Sequence, residues 1–276
     1  MRGRSFVIGA LSDIGSVKKS NQDNILAKVG ENESGDFGLF VVADGMGGLA
    51  AGEKASEIAV NEFEKWWDES LTFSLSSLKS VAFGEIDREL DQVFKNANNR
   101  IQNLGKTLGD RTGTTLSMLF IYGNQYVVKH IGDSRVYIAN TELVQLTEDH
   151  SWVAQQVREG KMSRDEGKNH PKRNIITQCL GLKRDINIFT TCGNVKDGDT
   201  FLVCSDGFYN HLEDIEIVQA VREYRLSDAD VQDIAAKLFN RVKERGASDN
   251  ASAIIVCQDK SVADRGIISK IRGMMR

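Results

Sequence analysis

The 276-residue sequence holds one proline (Pro171), four cysteines and four histidines, and no stretch of it approaches the length of a membrane span. The cysteines, Cys179, Cys192, Cys204 and Cys257, are scattered without a C-x-x-C pair. Three of them lie in or beside apolar runs, where cysteine acts as a small buried hydrophobe. A basic excess is missing too. The net charge is −4, and with no basic face announced the chain does not read as a nucleic-acid binder. The apolar stretch Phe6 to Leu11 is too short for a signal-peptide core and leads into polar sequence. Internal repeats and low-complexity segments are absent. With 41% hydrophobic and 27% charged residues, the composition is that of a soluble globular protein, expected in the cytoplasm and long enough for one large core.

What the sequence does have is a device used repeatedly. Phe37 to Gly48 reads F-G-L-F-V-V-A-D-G-M-G-G, a short β-branched run of the kind that forms a buried strand, stopping at Asp44. A carboxylate at the end of a buried strand is costly unless something pairs with it. The glycines after it let backbone approach whatever it faces. Val127 to Asp133 ends in Gly-Asp, and Phe201 to Gly207 ends in Asp-Gly. Asp249-Asn250 precedes the run Ala251 to Cys257, and Asn21-Gln22-Asp23 precedes Ile25 to Val29. One Asp-Gly is an ordinary turn signal. Five acids at strand edges, with no His or Cys at ligand spacing, point to an all-oxygen site for a hard cation.

Taken in order, the chain predicts strands at 5–12, 23–29 and 37–44, then a helix over Ala50 to Asp68 with Trp66 and Trp67 on its core face. A longer helix carries a single apolar stripe from Leu78 to Leu104. Strands follow at 112–122, 125–131, 134–140 and 143–147, with joins short enough for antiparallel neighbours. Residues 151–178 are charged and suggest a helix followed by a surface flap. Further strands at 186–192, 200–205 and 251–257 enclose helices at 213–224 and 228–245, the second opened by Ser227-x-x-Asp230. Strand groups alternating with helix pairs favour one α+β domain of antiparallel sheets flanked by helices.

An aspartate cluster holding Mg²⁺ or Mn²⁺ serves several chemistries. Two ions about 3.5–4 Å apart can generate hydroxide and stabilise in-line displacement at phosphorus. No rival nucleophile is supplied: the sequence lacks G-x-S-x-G, a phosphate-loop cysteine and a nucleotide P-loop. The ordered series Lys18-x-x-Asn21-Gln22-Asp23, Asp44-Gly45-Met46-Gly47-Gly48, Thr112-Gly113-Thr114-Thr115, Gly132-Asp133-Ser134-Arg135, Asp149-His150-Ser151, Ser205-Asp206-Gly207 and Ser248-Asp249-Asn250 resembles the metal-dependent type 2C protein phosphatases, most of all their bacterial branch. The likeness runs from about Ile8 to Val256.

That resemblance implies two stacked antiparallel β-sheets flanked by pairs of α-helices. It implies a serine/threonine protein phosphatase with two catalytic Mn²⁺ or Mg²⁺ ions and direct attack by activated water. Asp44 would bridge the ions with the Gly45 carbonyl as a further ligand, and Asp206 and Asp249 would complete the first metal site. Asp133 would serve a weaker third ion, Asp23 would hold a metal-bound water or ligate through it, and Asn250 would orient its neighbour from behind. Residues 151–178 would be the flap beside the active site, inside a catalytic domain of residues 1–259. Phosphoprotein substrates, a cognate bacterial Ser/Thr kinase and a monomeric state are the partners and assembly expected.

The chain departs from the family pattern at three places. Lys18 stands where the family's phosphate-gripping arginine usually lies, Met46 where many animal members have histidine, and Gln22 where some relatives place an acid. Arg135 is expected to balance a neighbouring carboxylate, His130 and His150 to be structural, and His170 and His211 to be surface or capping residues. The tail 260–276 carries five basic residues against one acid and could form a basic amphipathic helix for a membrane surface or partner, or be a simple terminus. Two rival functions are a non-catalytic phosphoprotein binder and a phosphatase of an anti-sigma-factor antagonist.

Overall fold

The computed structural model describes residues 6–32, 35–46, 51–71, 83–227 and 230–258. Gly47, Gly48, the N-terminal arginines Arg2 and Arg4 and the basic tail 260–276 lie outside the described residues. Two five-stranded antiparallel sheets form among those that are described. The first runs β2 (Asp23–Asn32), β3 (Gly35–Asp44), β4 (Leu116–Tyr122), β5 (Gln125–Ile131) and β8 (Phe189–Asn194). The second runs β1 (Phe6–Asp13), β10 (Ala251–Gln258), β9 (Thr200–Cys204), β6 (Arg135–Ala139) and β7 (Leu143–Gln145).

Successive strand residues point to opposite faces, and β3 shows why its sequence is apolar throughout. Leu39 and Val41 face helices α1 (Gly52–Lys65) and α2 (Phe83–Leu108), packing with Phe63 and Phe94. Phe40 and Val42 face the other way and meet Val203 and Ile254 of the second sheet. Helices α6 (Asp214–Leu226) and α7 (Val231–Glu244) cover the far side of that sheet, with Leu238 and Phe239 against Leu202 and Ile255. The result is a helix–sheet–sheet–helix sandwich with three apolar layers. Lys129 of β5 is buried and pairs with Asp87 at 2.9 Å and Asp91 at 2.6 Å, which lie one turn apart on α2.

Several boundaries differ from the sequence expectations. Helix α1 ends at Lys65 and continues as a π-helical turn, Trp66–Leu71, which buries both tryptophans. The strand expected at 112–122 starts at Leu116, because Thr112 to Thr115 serve other contacts described below. The strand expected at 186–192 is β8, three residues later, since Ile186 and Ile188 pack against the helical layer instead. Helix α7 opens at Asp230, whose side chain accepts from the Gln232 N–H at 3.0 Å, whereas Ser227 closes α6. The flap region holds two short helices, α3 (Trp152–Arg158) and α4 (Arg164–Lys168). Its base is stitched to the body by Trp152 N–H to Ile175 carbonyl at 2.8 Å and Thr177 N–H to His150 carbonyl at 2.7 Å.

Candidate active site

Antiparallel register places Asp23, the first residue of β2, directly opposite Asp44, the last of β3. Directly opposed residues share a sheet face, with Cβ atoms about 4.5–5.5 Å apart. Asp23 is 5% exposed, and its Oδ2 accepts from the Ser205 hydroxyl at 2.8 Å. Its Oδ1 is buried with no hydrogen-bond partner. Burial, reinforced by the charges of Asp206 and Asp249, pushes the Asp23 carboxyl up to about 6 against the pull of the Ser252 and Ser205 hydroxyls. The half-buried Asp44 carboxyl is also pushed well above the usual range. Desolvation is the largest cause, followed by the charges of Asp23, Asp206, Asp133 and Asp249.

Asp44 is held by its backbone. Its N–H donates to Thr115 Oγ1 at 3.1 Å, and its carbonyl accepts from Thr114 Oγ1 at 2.8 Å and Thr115 N–H at 2.9 Å. The turn continues with Gly45 N–H to the Gln22 carbonyl and Met46 N–H to the Gly113 carbonyl, both 3.0 Å. A side chain at Gly45 would run into the Gly52 carbonyl, so packing requires glycine after this acid. Gly113, Thr114 and Thr115 therefore act as the backing of the Asp44 turn.

Two more acids come from the second sheet. Asp206 follows β9 and opens the short helix α5 (Asp206–Tyr209), while Asp249 stands just before β10, the neighbour of β9. Burial and the Asp249 charge raise the Asp206 carboxyl, with the Gly207 N–H, Lys18 and Arg135 working the other way. Asp133 lies in the β5–β6 turn, 7% exposed. Its carboxyl is driven well up by desolvation and by Asp206 and Asp149, against the positive charge of Arg135. Gly132 just before it has φ 118°, and a Cβ there would lie 2.5 Å from that of Thr115. Only glycine satisfies both.

The cations and amides around these acids have defined tasks. Arg135 forks onto Asp149, Nε to Oδ1 at 3.0 Å and Nη2 to Oδ2 at 2.6 Å, and lies 3.8 Å over the Tyr209 ring. The expected pairing with a carboxylate is thus with Asp149 rather than with the strand-end acids. The Lys18 ammonium lies 2.6 Å from Asp249 Oδ1. Burial would lower its proton affinity, yet its bond to Asp249 and the charges of Asp249, Asp44 and Asp206 raise it. Asn250 accepts from Gln22 N–H at 2.9 Å and donates to the carbonyls of Ile14 at 2.8 Å and Ser20 at 3.1 Å. It therefore fixes the loop that carries Lys18, and its own N–H donates to Asp249 Oδ1 at 2.8 Å.

The histidines make contacts within the protein. His130 is fully buried, its Nδ1 at 2.8 Å from the Ser117 hydroxyl and its Nε2 at 2.9 Å from the Gly132 carbonyl. Desolvation and the neighbouring His150 hold it down at about 3. His150 Nδ1 accepts from the Gly132 N–H at 3.2 Å, and His211 Nδ1 lies 3.0 Å from the Gly207 carbonyl. His170 stacks on Trp152 at 5.0 Å between centroids. Sequence reading gave no role to Ser205, which anchors Asp23, or to Tyr209, whose hydroxyl donates to the Asp133 carbonyl at 3.0 Å. Neither has a local signal, because each acts across more than 70 residues.

All five acids thus belong to one rim of the sandwich, where both sheets end. Among the described residues, no three carboxylate, His or Cys side chains converge closely enough to clasp an ion as they stand. Lys18 lies on Asp249 in that arrangement. The donor set nevertheless fits a hard divalent cation: it is all oxygen, it holds a buried carboxylate oxygen with no partner, and its members repel one another.

Comparison with known proteins identifies the family. The model of the protein phosphatase 2C family matches residues 16–253. The serine/threonine phosphatase stp of Listeria monocytogenes is 31% identical over 251 residues, covering 90% of this chain and 94% of that protein. The solved structure of the Streptococcus agalactiae serine/threonine phosphatase superposes with a TM-score of 0.80 at 30% identity, covering 92% of this chain and all of that one. The catalytic domain of the phosphatase PstP in complex with two manganese ions superposes with a TM-score of 0.74 at 28% identity, covering 91% and 98%. The two stacked sheets with their flanking helices are the fold these relatives share. The chain belongs to the protein phosphatase 2C family and is a metal-dependent phosphoprotein phosphatase.

Proposed function

We propose that the rim is a binuclear Mn²⁺ or Mg²⁺ centre that hydrolyses phosphoserine and phosphothreonine in proteins, opposing a bacterial Ser/Thr kinase. The observation that carries this reading is the Asp23–Asp44 pair. Two carboxylates stand opposed at the same sheet end, repelled further by Asp206, Asp249 and Asp133. A monomer acting in the cytoplasm suits the reading, and no helix among the described residues is long and apolar enough to cross a membrane. We take residues 1–259 as the catalytic domain and 260–276 as a separate basic tail.

Asp44 would be the acid shared by the ions, with the Gly45 carbonyl as a further ligand, and Asp206 and Asp249 would complete the first site. Asp133 would hold a third, weaker ion, and Asp23 would orient water beside Asp44. The ions, when bound, supply positive charge for the phosphate dianion and acidify the attacking water. The chain's own contribution is placement. Thr114 and Thr115 fix the Asp44 turn, Ser205 fixes Asp23, and Asn250 fixes both Asp249 and the Lys18 loop. Lys18 keeps a positive charge beside Asp249, where it can meet a substrate phosphate as a single mobile point charge. Met46 carries no proton to give, so the leaving group is protonated by water or another group. Hydrolysis of p-nitrophenyl phosphate with Mn²⁺, abolished by chelator and by Asp44→Asn, tests the reading. Turnover that persists in chelator would reject it.

A further inference from the structure

Beside the rim lies a half-enclosed cavity of about 290 Å³ between the end of the flap, the loop before β8 and the segment that follows α2. Its floor is apolar, with Ile131 at the end of β5 and Ile176 at the base of the flap. Arg111 and Lys183 stand on its walls, both exposed, and neither forms an ion pair among the described residues. Asp185 is the one acid on the lining, so the walls are positive on balance in a chain of net charge −4.

The cavity adjoins the acidic rim. Gly45, Thr114 and Leu180 form successive antiparallel bridges, so Leu180 lies two strand spacings, or about 10 Å, from the Asp44 turn. The place a Cβ would take at Gly113 lies 3.4 Å from Met46 Sδ and 3.5 Å from Cys179 Sγ. Cys179 in turn lines the cavity and senses the charges of Arg111, Lys183 and Asp133. An extended peptide advances about 3.3 Å per residue. A chain whose phosphorylated residue sits at the rim therefore delivers into this cavity a residue about three positions away.

We propose that this groove is a specificity subsite for a phosphopeptide, in which Arg111 and Lys183 bind an acidic group flanking the residue being dephosphorylated. The proposal rests on the phosphatase reading of the rim and adds the substrate class to it. Two sources supply the same chemistry, a glutamate carboxylate or a second phosphate. The planar Arg111 fork can give two parallel bonds to either, and the larger charge of phosphate favours the second. The apolar floor accommodates the aliphatic part of the flanking side chain.

The test compares phosphothreonine peptides carrying alanine, glutamate or a second phosphothreonine three positions away, using the full chain with Mn²⁺. p-Nitrophenyl phosphate, too small to reach the groove, reports on the catalytic rim in the same preparations. The wild-type enzyme should prefer the acidic peptides through a lower KM, by about tenfold for two exposed charge pairs. A larger preference for the doubly phosphorylated peptide than for the glutamate peptide assigns the subsite to phosphate, and the reverse assigns it to carboxylate. The double variant Arg111→Ala/Lys183→Ala should lose the preference, and Arg111→Glu/Lys183→Glu should invert it toward a lysine-flanked peptide. A structural role for these side chains would not produce that inversion. Equal KM values for the three peptides in an enzyme that hydrolyses p-nitrophenyl phosphate would overturn the subsite alone. An enzyme inert toward p-nitrophenyl phosphate would overturn the rim reading, and the subsite with it.

Discussion

Asp23 and Asp44 form a directly opposed cross-strand pair, two carboxylates facing each other at the open end of the β2–β3 ladder. Like charges so placed destabilise a sheet, and here burial adds to the repulsion. The pair therefore acts as a built-in demand for positive charge. Asp44→Asn removes the repulsion while keeping the shape. The chelator-treated variant is expected to melt higher than chelator-treated wild type, by about 2–4 °C for each kcal/mol relieved. It should also lose the upward shift that Mn²⁺ gives the wild type. A variant that melts lower, yet still responds to Mn²⁺, would show that Asp44 is a structural residue.

Lys18 lies on Asp249, within reach of the charges of Asp44 and Asp206. Its ammonium offers a point charge where an arginine would offer a fork. Lys18→Ala should raise KM for small phosphate esters with kcat nearly unchanged, as expected for a contact equal in ground and transition states. Lys18→Arg should lower KM. Steady-state kinetics decides: unaltered KM in both variants would remove Lys18 from substrate binding.

Asp133 stands apart from the Asp23–Asp44 pair, in a turn fixed by Gly132 and capped by Tyr209. Asp133→Ala should raise the Mn²⁺ concentration needed for turnover and lower kcat while the tight ions still bind. Calorimetry that shows loss of the tight sites would contradict its assignment to a weaker third site.

The sequence made the site legible for a simple reason: strand-terminal acids interrupt apolar runs, and such interruptions can be read without a fold. Asp44, Asp133 and Asp206 were all found this way. Register was not legible, so the direct opposition of Asp23 and Asp44 came only with the pairing of β2 and β3. The helix Asp206–Tyr209 was missed because Ser-Asp-Gly has the composition of a turn and the helix is one turn long. Thr112 to Thr115 looked like a strand start because threonine favours strands, whereas the hydroxyls of Thr114 and Thr115 and the Thr115 amide are spent on Asp44. Lys18 could be flagged as a substitution for arginine, but its partner, Asp249, lies 231 positions along the chain and no periodicity announces it.

His130 makes a separate prediction about acid stability. Burial and the neighbouring His150 keep it neutral in the folded state down to about 3, against the pull of Asp149 and of its bond to the Gly132 carbonyl. The unfolded chain takes up this proton near 6.5. Between those values the unfolded state binds one proton more, so stability falls as pH drops, at about 1.4 kcal/mol per pH unit. Above about pH 6.5 the contribution is complete and flat. Denaturant titrations from pH 7 to 5 should show this limb in wild type and a shallower one in His130→Asn. Identical slopes in the two proteins would mean that His130 titrates normally.

The central claim is that the acidic rim exists to hold divalent ions. The most direct measurement is a calorimetric titration of the chelator-treated protein with Mn²⁺, run in buffers of different ionisation enthalpy. The account predicts two tight equivalents of Mn²⁺. It also predicts proton release on binding near pH 6, because raised carboxyls such as Asp23 must ionise to accept the metal, and release should be smaller in Asp23→Asn. Binding that releases no protons, or an isotherm unchanged by Asp44→Asn, would contradict it.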